Sequence, residues 1–176
     1  MATIRMTSRT LSVLKGWPIT AGLDFSAQYD STVTDVMPPG TVVRLNSSGK
    51  FLVGVGNNKV MPLITFKASD DPSVVPASNG DPSTTYGVFV GGTPQGAVMA
   101  YPVTSGLELL STNYVSDTYA PNDPLTSATS GGNAGKLAKG TMYTNMIVGI
   151  VSRGVINNGW ETPALAFWTH PVFPTA

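Results

Sequence analysis

The chain has 176 residues, no cysteine and one histidine, and its ten basic side chains balance its ten acidic ones. Only 11% of the residues are charged, compared with about 25% in an average domain. This length predicts one domain, and the charge balance disfavours a nucleic-acid binder or a polybasic membrane anchor. Within these residues no disulfide, thiolate nucleophile or two-histidine zinc site can form. No apolar run approaches the roughly 18 residues that a membrane-spanning helix requires, so we expect no membrane partner.

Residues 1–22 are predicted to form an extended N-terminal arm. Arg5, Arg9 and Lys15 are the only charged side chains among residues 1–16, which gives this stretch a charge of +3. An extended segment can pair with a sheet of another subunit. We therefore expect an intersubunit contact here, with Trp17 as a further contributor. A first strand of the protein's own domain, or simply a frayed terminus, fits the same residues equally well.

A β-hairpin is predicted next. Residues 41–46 and 50–55 are rich in β-branched and apolar side chains, and Ser47-Ser48-Gly49 lies between them. Two such runs across a short turn that contains glycine are typical of a hairpin. We expect Gly49 to adopt a positive φ, which a β-branched side chain tolerates poorly.

The remaining strand predictions follow the same pattern. Pro62 places the run 60–66 at a sheet edge or at the start of a strand. A second hairpin is predicted between 86–90 and 97–103, across residues 91–96. Further strands are predicted at 107–110, 145–151 and 164–168.

The segments between these strands complete the fold prediction. Residues 69–85 and 127–135 have the composition of surface loops. Helical periodicity is absent from the sequence, and at most one short helical turn is expected within Asp24–Val36. Short strands separated by turns predict an all-β domain over residues 23–176. It is a single β-barrel or β-sandwich with long loops and little helix.

Motifs for catalysis or cofactor binding are incomplete. The glycines at 54 and 56 lack the third glycine of a dinucleotide-binding turn, and those at 91 and 96 lack the lysine of a phosphate-binding loop. No G-x-S-x-G sequence accompanies His170, which we expect to be a packed or interface residue. The acidic residues show no calcium-loop spacing. We therefore expect no enzymatic activity, no cofactor and no metal.

The tryptophans are candidates for contacts with other molecules. Trp168 lies in a run that alternates like a half-buried strand, so we expect it in the core. Trp17 and Trp160 adjoin glycine or proline, and a core edge or subunit interface is more common for such residues than a ligand platform. The candidate interface residues are Arg5, Arg9, Lys15, Trp17 and Trp160.

The C-terminal half carries a recognisable pattern of strand and turn residues. Its parts are LELL at 107–110, Tyr114, YAPNDPLT at 119–126, AGKL at 134–137, VGIVSRG at 148–154 and LAFW at 165–168. Together with PPGTVV at 38–43 and GKF at 49–51, this pattern resembles the small capsid decoration (cement) proteins and related virion structural proteins of tailed bacteriophages. The resemblance spans residues 36–174 and includes no catalytic signature.

This resemblance implies a specific role. Such a protein binds the outer surface of the head shell, often as a homotrimer, and stabilises the shell through contacts with the major capsid protein and neighbouring subunits. It is made in the host cytoplasm, resides on the outer capsid surface of the virion and has no catalytic residues.

The alternative is a carbohydrate- or receptor-binding β module of a phage fibre, tail or collar. Exposed aromatic residues on one face favour this alternative. Buried tryptophans and an ordered arm favour the decoration protein.

Overall fold

A computed structural model of the chain describes residues 11–15, 25–35, 37–65, 75–76, 89–90, 93–94, 96–104, 106–157 and 163–175. Within these ranges the chain forms fourteen strands and no helix, which confirms the predicted all-β class. The strands are β1 (Leu11–Lys15), β2 (Phe25–Gln28), β3 (Val42–Leu45), β4 (Phe51–Val53), β5 (Leu63–Thr65), β6 (Val75–Pro76), β7 (Phe89–Val90), β8 (Thr93–Pro94), β9 (Gly96–Pro102), β10 (Glu108–Ser111), β11 (Pro124–Ser127), β12 (Leu137–Lys139), β13 (Ile147–Ile156) and β14 (Ala164–Val172).

Two antiparallel sheets form the domain. Sheet A has the order β1-β10-β14-β13-β11-β12, and sheet B has the order β2-β9-β5-β3-β4, with β6 paired to the start of β9. Strands β7 and β8 form a separate two-stranded ribbon. In sheet A the two longest strands, β13 and β14, pair with each other at the centre.

The two sheets pack face to face around a shared hydrophobic core, in a sandwich-like arrangement. Sheet B contributes Val42 and Ile64, and sheet A contributes Leu109, Val148 and Phe167 among others, all at most 3% exposed. Each fully buried side chain of this kind stabilises the fold by about 1.5–3 kcal/mol. This core fixes which face of each sheet is outward.

A second cluster covers the other face of sheet B. The rings of Tyr29 and Phe51 meet edge to face, with their centroids 5.9 Å apart. Val33 and Met37 pack over this face from the segment that follows β2. The short helical turn expected within Asp24–Val36 is absent from residues 25–35, which form β2 and a hydrogen-bonded turn. In that turn Asp30 Oδ1 accepts hydrogen bonds from the amide and the hydroxyl of Thr32.

A main-chain junction joins the two sheets where β4 ends. The amide of Gly56 donates to the Ser127 carbonyl at 2.9 Å, and the amide of Met146 donates to the Gly56 carbonyl at 2.9 Å. A Cβ atom on Gly54 would lie 1.8 Å from the Ala128 carbonyl oxygen. The backbones approach this closely only because glycine has no side chain.

The loop that follows β11 takes part in this junction. The amide of Val42 donates to the Gly135 carbonyl at 2.9 Å, and Gly135 is buried with a φ of +75°. Residues 129–133 are exposed. The surface loop predicted at 127–135 is therefore correct at its tip and wrong at its two ends, which are held between the sheets.

The first predicted hairpin is confirmed. Strands β3 and β4 pair antiparallel from Val43–Val53 to Leu45–Phe51, and Gly49 has a φ of +71°. Asn46 Oδ1 accepts hydrogen bonds from the amides of Ser48 and Lys50, both at 2.9 Å, which stabilises the turn.

The second predicted hairpin is wrong in its pairing. Strand β7 pairs with β8, while β9 lies between β2 and β5. The sequence contains Gly91-Gly92 between β7 and β8, and Gly-Gly is a favoured two-residue hairpin turn. Pro62 directly precedes β5, which is an interior strand of sheet B. The strand-start interpretation of Pro62 is thus confirmed, and the sheet-edge alternative is wrong.

Substitutions of two glycines distinguish the stability lost through backbone strain from the stability lost through a steric clash. Gly49 and Gly54 have φ values of +71° and +70°, but a Cβ on Gly49 would have no neighbour within 4 Å. We expect Gly49→Ala to lower the free energy of unfolding by about 1 kcal/mol. We expect Gly54→Ala to lower it by more than about 3 kcal/mol, because the clash with Ala128 adds to the strain. Thermal unfolding followed by circular dichroism measures both, and equal losses for the two variants would contradict the junction.

Candidate interaction surfaces

Most of the interface residues predicted from the sequence lie outside the described residues. These are Arg5, Arg9, Trp17 and Trp160. Lys15 is the last residue of β1, which pairs with β10 in an edge position of sheet A. Residues 11–15 of the predicted arm are therefore a strand of the protein's own domain, as the alternative interpretation had it. The predicted intersubunit contact stays a prediction.

The outer face of sheet A contains an ion pair with one buried partner. Glu108 lies opposite Lys15 in the register of β1 and opposite Trp168 in the register of β14. Its carboxylate is 1% exposed, and Arg153 Nη2 donates to Glu108 Oε2 at 2.9 Å. A carboxylate this deeply buried is costly unless it is paired. Arg153 neutralises this buried charge, while its own side chain stays 48% exposed to solvent.

Trp168 lies on this outer face, so the prediction that it belongs to the core is wrong. Its side chain is 38% exposed, whereas Leu165 and Phe167 are fully buried between the sheets. Successive side chains of a strand point to opposite faces, and Phe167 takes the inward position. His170 shares the face of Trp168 and is exposed. It is therefore not the packed histidine that was expected, and the interface alternative stays open.

Tyr143, in the loop of residues 141–145, and Phe173, which directly follows β14, are two exposed aromatic residues that we call the Tyr143–Phe173 patch. Tyr143 is 60% exposed and Phe173 is 47% exposed. The amide of Thr175 donates to the Tyr143 carbonyl at 2.8 Å, which ties the C-terminal segment to the loop of residues 141–145. The two chain segments that carry these aromatic residues are thus connected through their backbones.

The backbone of Tyr143 is strained. Its φ is +64°, and residues other than glycine, asparagine and aspartate seldom adopt a positive φ. The loop is fixed by hydrogen bonds from the Thr141 amide to Asn145 Oδ1 at 2.7 Å and from Asn145 Nδ2 to Asn57 Oδ1 at 2.8 Å. Such strain is concentrated at functional sites in proteins. Sequence reasoning missed this residue, and the one available signal was an aromatic side chain among the turn-forming residues 140–145.

The described residues hold no group of three or more histidine, cysteine, aspartate or glutamate side chains arranged to bind a metal ion. Over the same residues, no helix has the length and apolarity needed to cross a membrane.

Comparison of the chain with models of protein families, with curated proteins and with solved structures found no match. Function is therefore inferred from the chain's own residues.

The Glu108–Arg153 pair predicts an asymmetric response to substitution. Arg153→Met leaves a buried carboxylate unpaired, and we expect it to lower the free energy of unfolding by about 3 kcal/mol. Glu108→Gln keeps an acceptor oxygen and leaves a half-exposed guanidinium that water can solvate, so we expect a loss of about 1 kcal/mol. Urea unfolding of both variants tests this order. A larger loss for Glu108→Gln would show that burial of Glu108 does not dominate the energy of the pair.

The strain at Tyr143 predicts that its aromatic side chain does not stabilise the fold. We expect Tyr143→Asn to leave the unfolding midpoint unchanged or raise it by a few degrees, because asparagine tolerates a positive φ. We expect Tyr143→Val to lower the midpoint by about 3 °C, since a β-branched residue at this φ costs about 1 kcal/mol more than tyrosine does. Differential scanning calorimetry measures both midpoints. A clear drop for Tyr143→Asn would assign Tyr143 a role in folding instead.

Proposed function

We propose that this chain is a capsid decoration protein of a tailed bacteriophage. It binds the outer surface of the head shell as a homotrimer, contacts the major capsid protein and stabilises the shell without catalysis. The sequence resemblance over residues 36–174 carries the proposal, and the exposed Tyr143 and Phe173 are the side chains that we propose contact the shell. A rigid β domain that holds two large aromatic side chains in solvent is suited to binding another protein.

The strain at Tyr143 supports a binding role for the patch. A tyrosine at a φ of +64° costs about 1–2 kcal/mol relative to an ordinary backbone conformation. Burial against the described residues does not offset this cost, because Tyr143 is 60% exposed. A partner that covers the ring recovers apolar burial at about 25 cal/mol per Å². Aromatic residues of this kind are enriched at the centres of protein interfaces.

The composition also supports a protein that works among many neighbours. Only 11% of the residues in the chain are charged. Proteins with few surface charges repel one another weakly and tend to associate. Because the chain contains no cysteine, its durability depends on burial and on contacts between subunits. On a shell with many symmetric sites, individually weak contacts add through multivalency.

The second candidate is a carbohydrate- or receptor-binding module of a fibre, tail or collar, and one observation favours it. Trp168 is 38% exposed on the outer face of sheet A, where its ring could stack against a sugar. The two candidates therefore use different surfaces, since the decoration protein depends on the Tyr143–Phe173 patch.

Copy number in purified virions of the encoding phage separates the candidates. Quantitative mass spectrometry against the major shell protein should give a near-equimolar ratio for a protein that coats the lattice. A handful of copies per particle would instead place the chain in a fibre, tail or collar. Absence from particles would contradict both candidates.

A shell-binding assay with variants then tests the surface itself. We expect the double variant Tyr143→Asn/Phe173→Ala to bind decoration-free shells at least about tenfold more weakly, as expected for the loss of two anchors. Met61→Ala is the matched control, because Met61 is 50% exposed and lies outside the patch. Equal binding by both proteins would remove the patch from the interface.

The predicted arm is tested in the same assay. Deletion of residues 1–9 removes Arg5 and Arg9 but keeps β1, whereas deletion of residues 1–22 also removes an edge strand of sheet A. Weaker shell binding after the shorter deletion, with an unchanged unfolding midpoint, supports arm contacts. Unchanged binding and an unchanged oligomeric state would contradict them.

A further inference from the structure

A pocket of about 330 Å³ opens beside β4, away from the Tyr143–Phe173 patch and from Trp168. Its walls come from the segment of residues 32–37, from the β3–β4 hairpin and from the exposed tip of the loop that follows β11. This volume lies at the lower end of the range for ligand sites, about 300–1,000 Å³. It therefore suits one side chain or a small molecule.

Among the described residues that line this pocket Arg44 is the only cation, and its guanidinium is held in one orientation. Nη1 donates to the Val53 carbonyl at 2.9 Å and also to the Gly54 carbonyl. These two bonds use both hydrogens of Nη1. The Nε hydrogen and the two Nη2 hydrogens have no acceptor in the described part of the chain. Within that part, no carboxylate lies within ion-pair distance of Arg44.

The charge on Arg44 is partly desolvated, and no carboxylate of the described residues forms an ion pair with it. Burial lowers the pKa of Arg44 below its usual value, because removal from water disfavours the charged form. Asp35 also lines the pocket but is exposed, so water screens its charge. A single negative charge next to the free edge of Arg44 would offset the desolvation.

The rest of the lining is matched to a short apolar stem. Val33 and Val53 are each 7% exposed and present apolar groups to the pocket together with Leu52. The rim carries the hydroxyl groups of Thr129 and Ser130, which can donate hydrogen bonds to an oxygen.

We propose that the Arg44 pocket binds a carboxylate carried on a short apolar stem, which is the chemistry of a glutamate side chain or of a C-terminal residue of a partner protein. The Nε–Nη2 edge offers two parallel N–H groups, and this geometry binds both oxygens of a carboxylate at once. One guanidinium balances a carboxylate monoanion, whereas a phosphate dianion would keep an uncompensated charge.

Selective ¹⁵N-arginine labelling makes the test direct, because the chain contains only four arginines. The Nε–H signal of Arg44 is followed by NMR in the parent protein during titration with N-acetyl-glutamate α-amide and, separately, with N-acetyl-alanine. We expect saturable movement with a dissociation constant on the order of 1 mM for at least one of them. Stronger binding of the first identifies an internal glutamate as the preferred source, and stronger binding of the second identifies a C-terminus.

Matched controls separate recognition from general effects. N-acetyl-glutamine α-amide has the same stem without the charge and should not move the signal. Inorganic phosphate should bind at least about tenfold more weakly than the better carboxylate. No movement with either carboxylate, equal movement with the amide, or phosphate binding as tight as carboxylate binding would each overturn the proposal.

Variants provide an independent check by titration calorimetry. Arg44→Gln should abolish binding, and Lys59→Gln, which removes an exposed cation outside the pocket, should leave it unchanged. Ser130→Ala keeps Arg44 and its carbonyl contacts, and it should weaken binding about twofold. If Arg44→Gln does not fold, the titration of the parent protein and the Ser130→Ala variant still decide the question. Equal binding by Arg44→Gln and the parent would overturn the assignment to Arg44.

Discussion

The close approach of two backbones at Gly54 is the constraint on which much of this structure depends. It brings the end of β4 against the end of β11, so that main-chain hydrogen bonds connect sheet B to sheet A. The same approach brings the tip of the loop after β11 next to the β3–β4 hairpin. Arg44 then donates to the carbonyls of Val53 and Gly54 at this junction. The orientation of the guanidinium is thus a consequence of how the sheets are joined.

The two aromatic surfaces follow from a different principle, which is the limited inward space of a sandwich. Each strand of sheet A directs only one of its two faces to the shared core. In β14 Phe167 lies on that face, so its neighbour Trp168 lies on the opposite one. Directly after β14, Phe173 is exposed, and so is Tyr143 in the loop of residues 141–145. Charged groups play a small part here. The two ion pairs of the described residues are Glu108–Arg153 and Asp123–Lys139.

Local sequence pattern was sufficient for much of the fold. The β3–β4 hairpin was predictable because β-branched residues flank a glycine turn, and the strands at 145–151 and 164–168 were predictable from apolar content. The pairing of β7 with β8 also has a local signal in the sequence, Gly91-Gly92, which a hairpin across residues 91–96 overlooks. These successes and this error all concern contacts between residues that are near in sequence.

The candidate sites depend on distant contacts and could not be predicted in the same way. In the sequence Arg44 is a single polar residue within a predicted strand. Its pocket depends on the loop tip at residues 129–131, which forms one of the pocket's walls. The positive φ of Tyr143 is imposed by Asn145, Asn57 and Thr175, against the preference of tyrosine itself. The direction of Trp168 required the register of β14 against β10 and β13.

The loop after β11 has one further consequence, for engineering. Its two ends are fixed by main-chain atoms at Ala128 and Gly135, while residues 129–133 are exposed. An inserted peptide at this tip would be carried on two rigid attachment points, and exposed loop tips are where insertions are best tolerated. The domain therefore offers a natural position for displaying foreign sequences, provided that the glycines at 54 and 135 are retained.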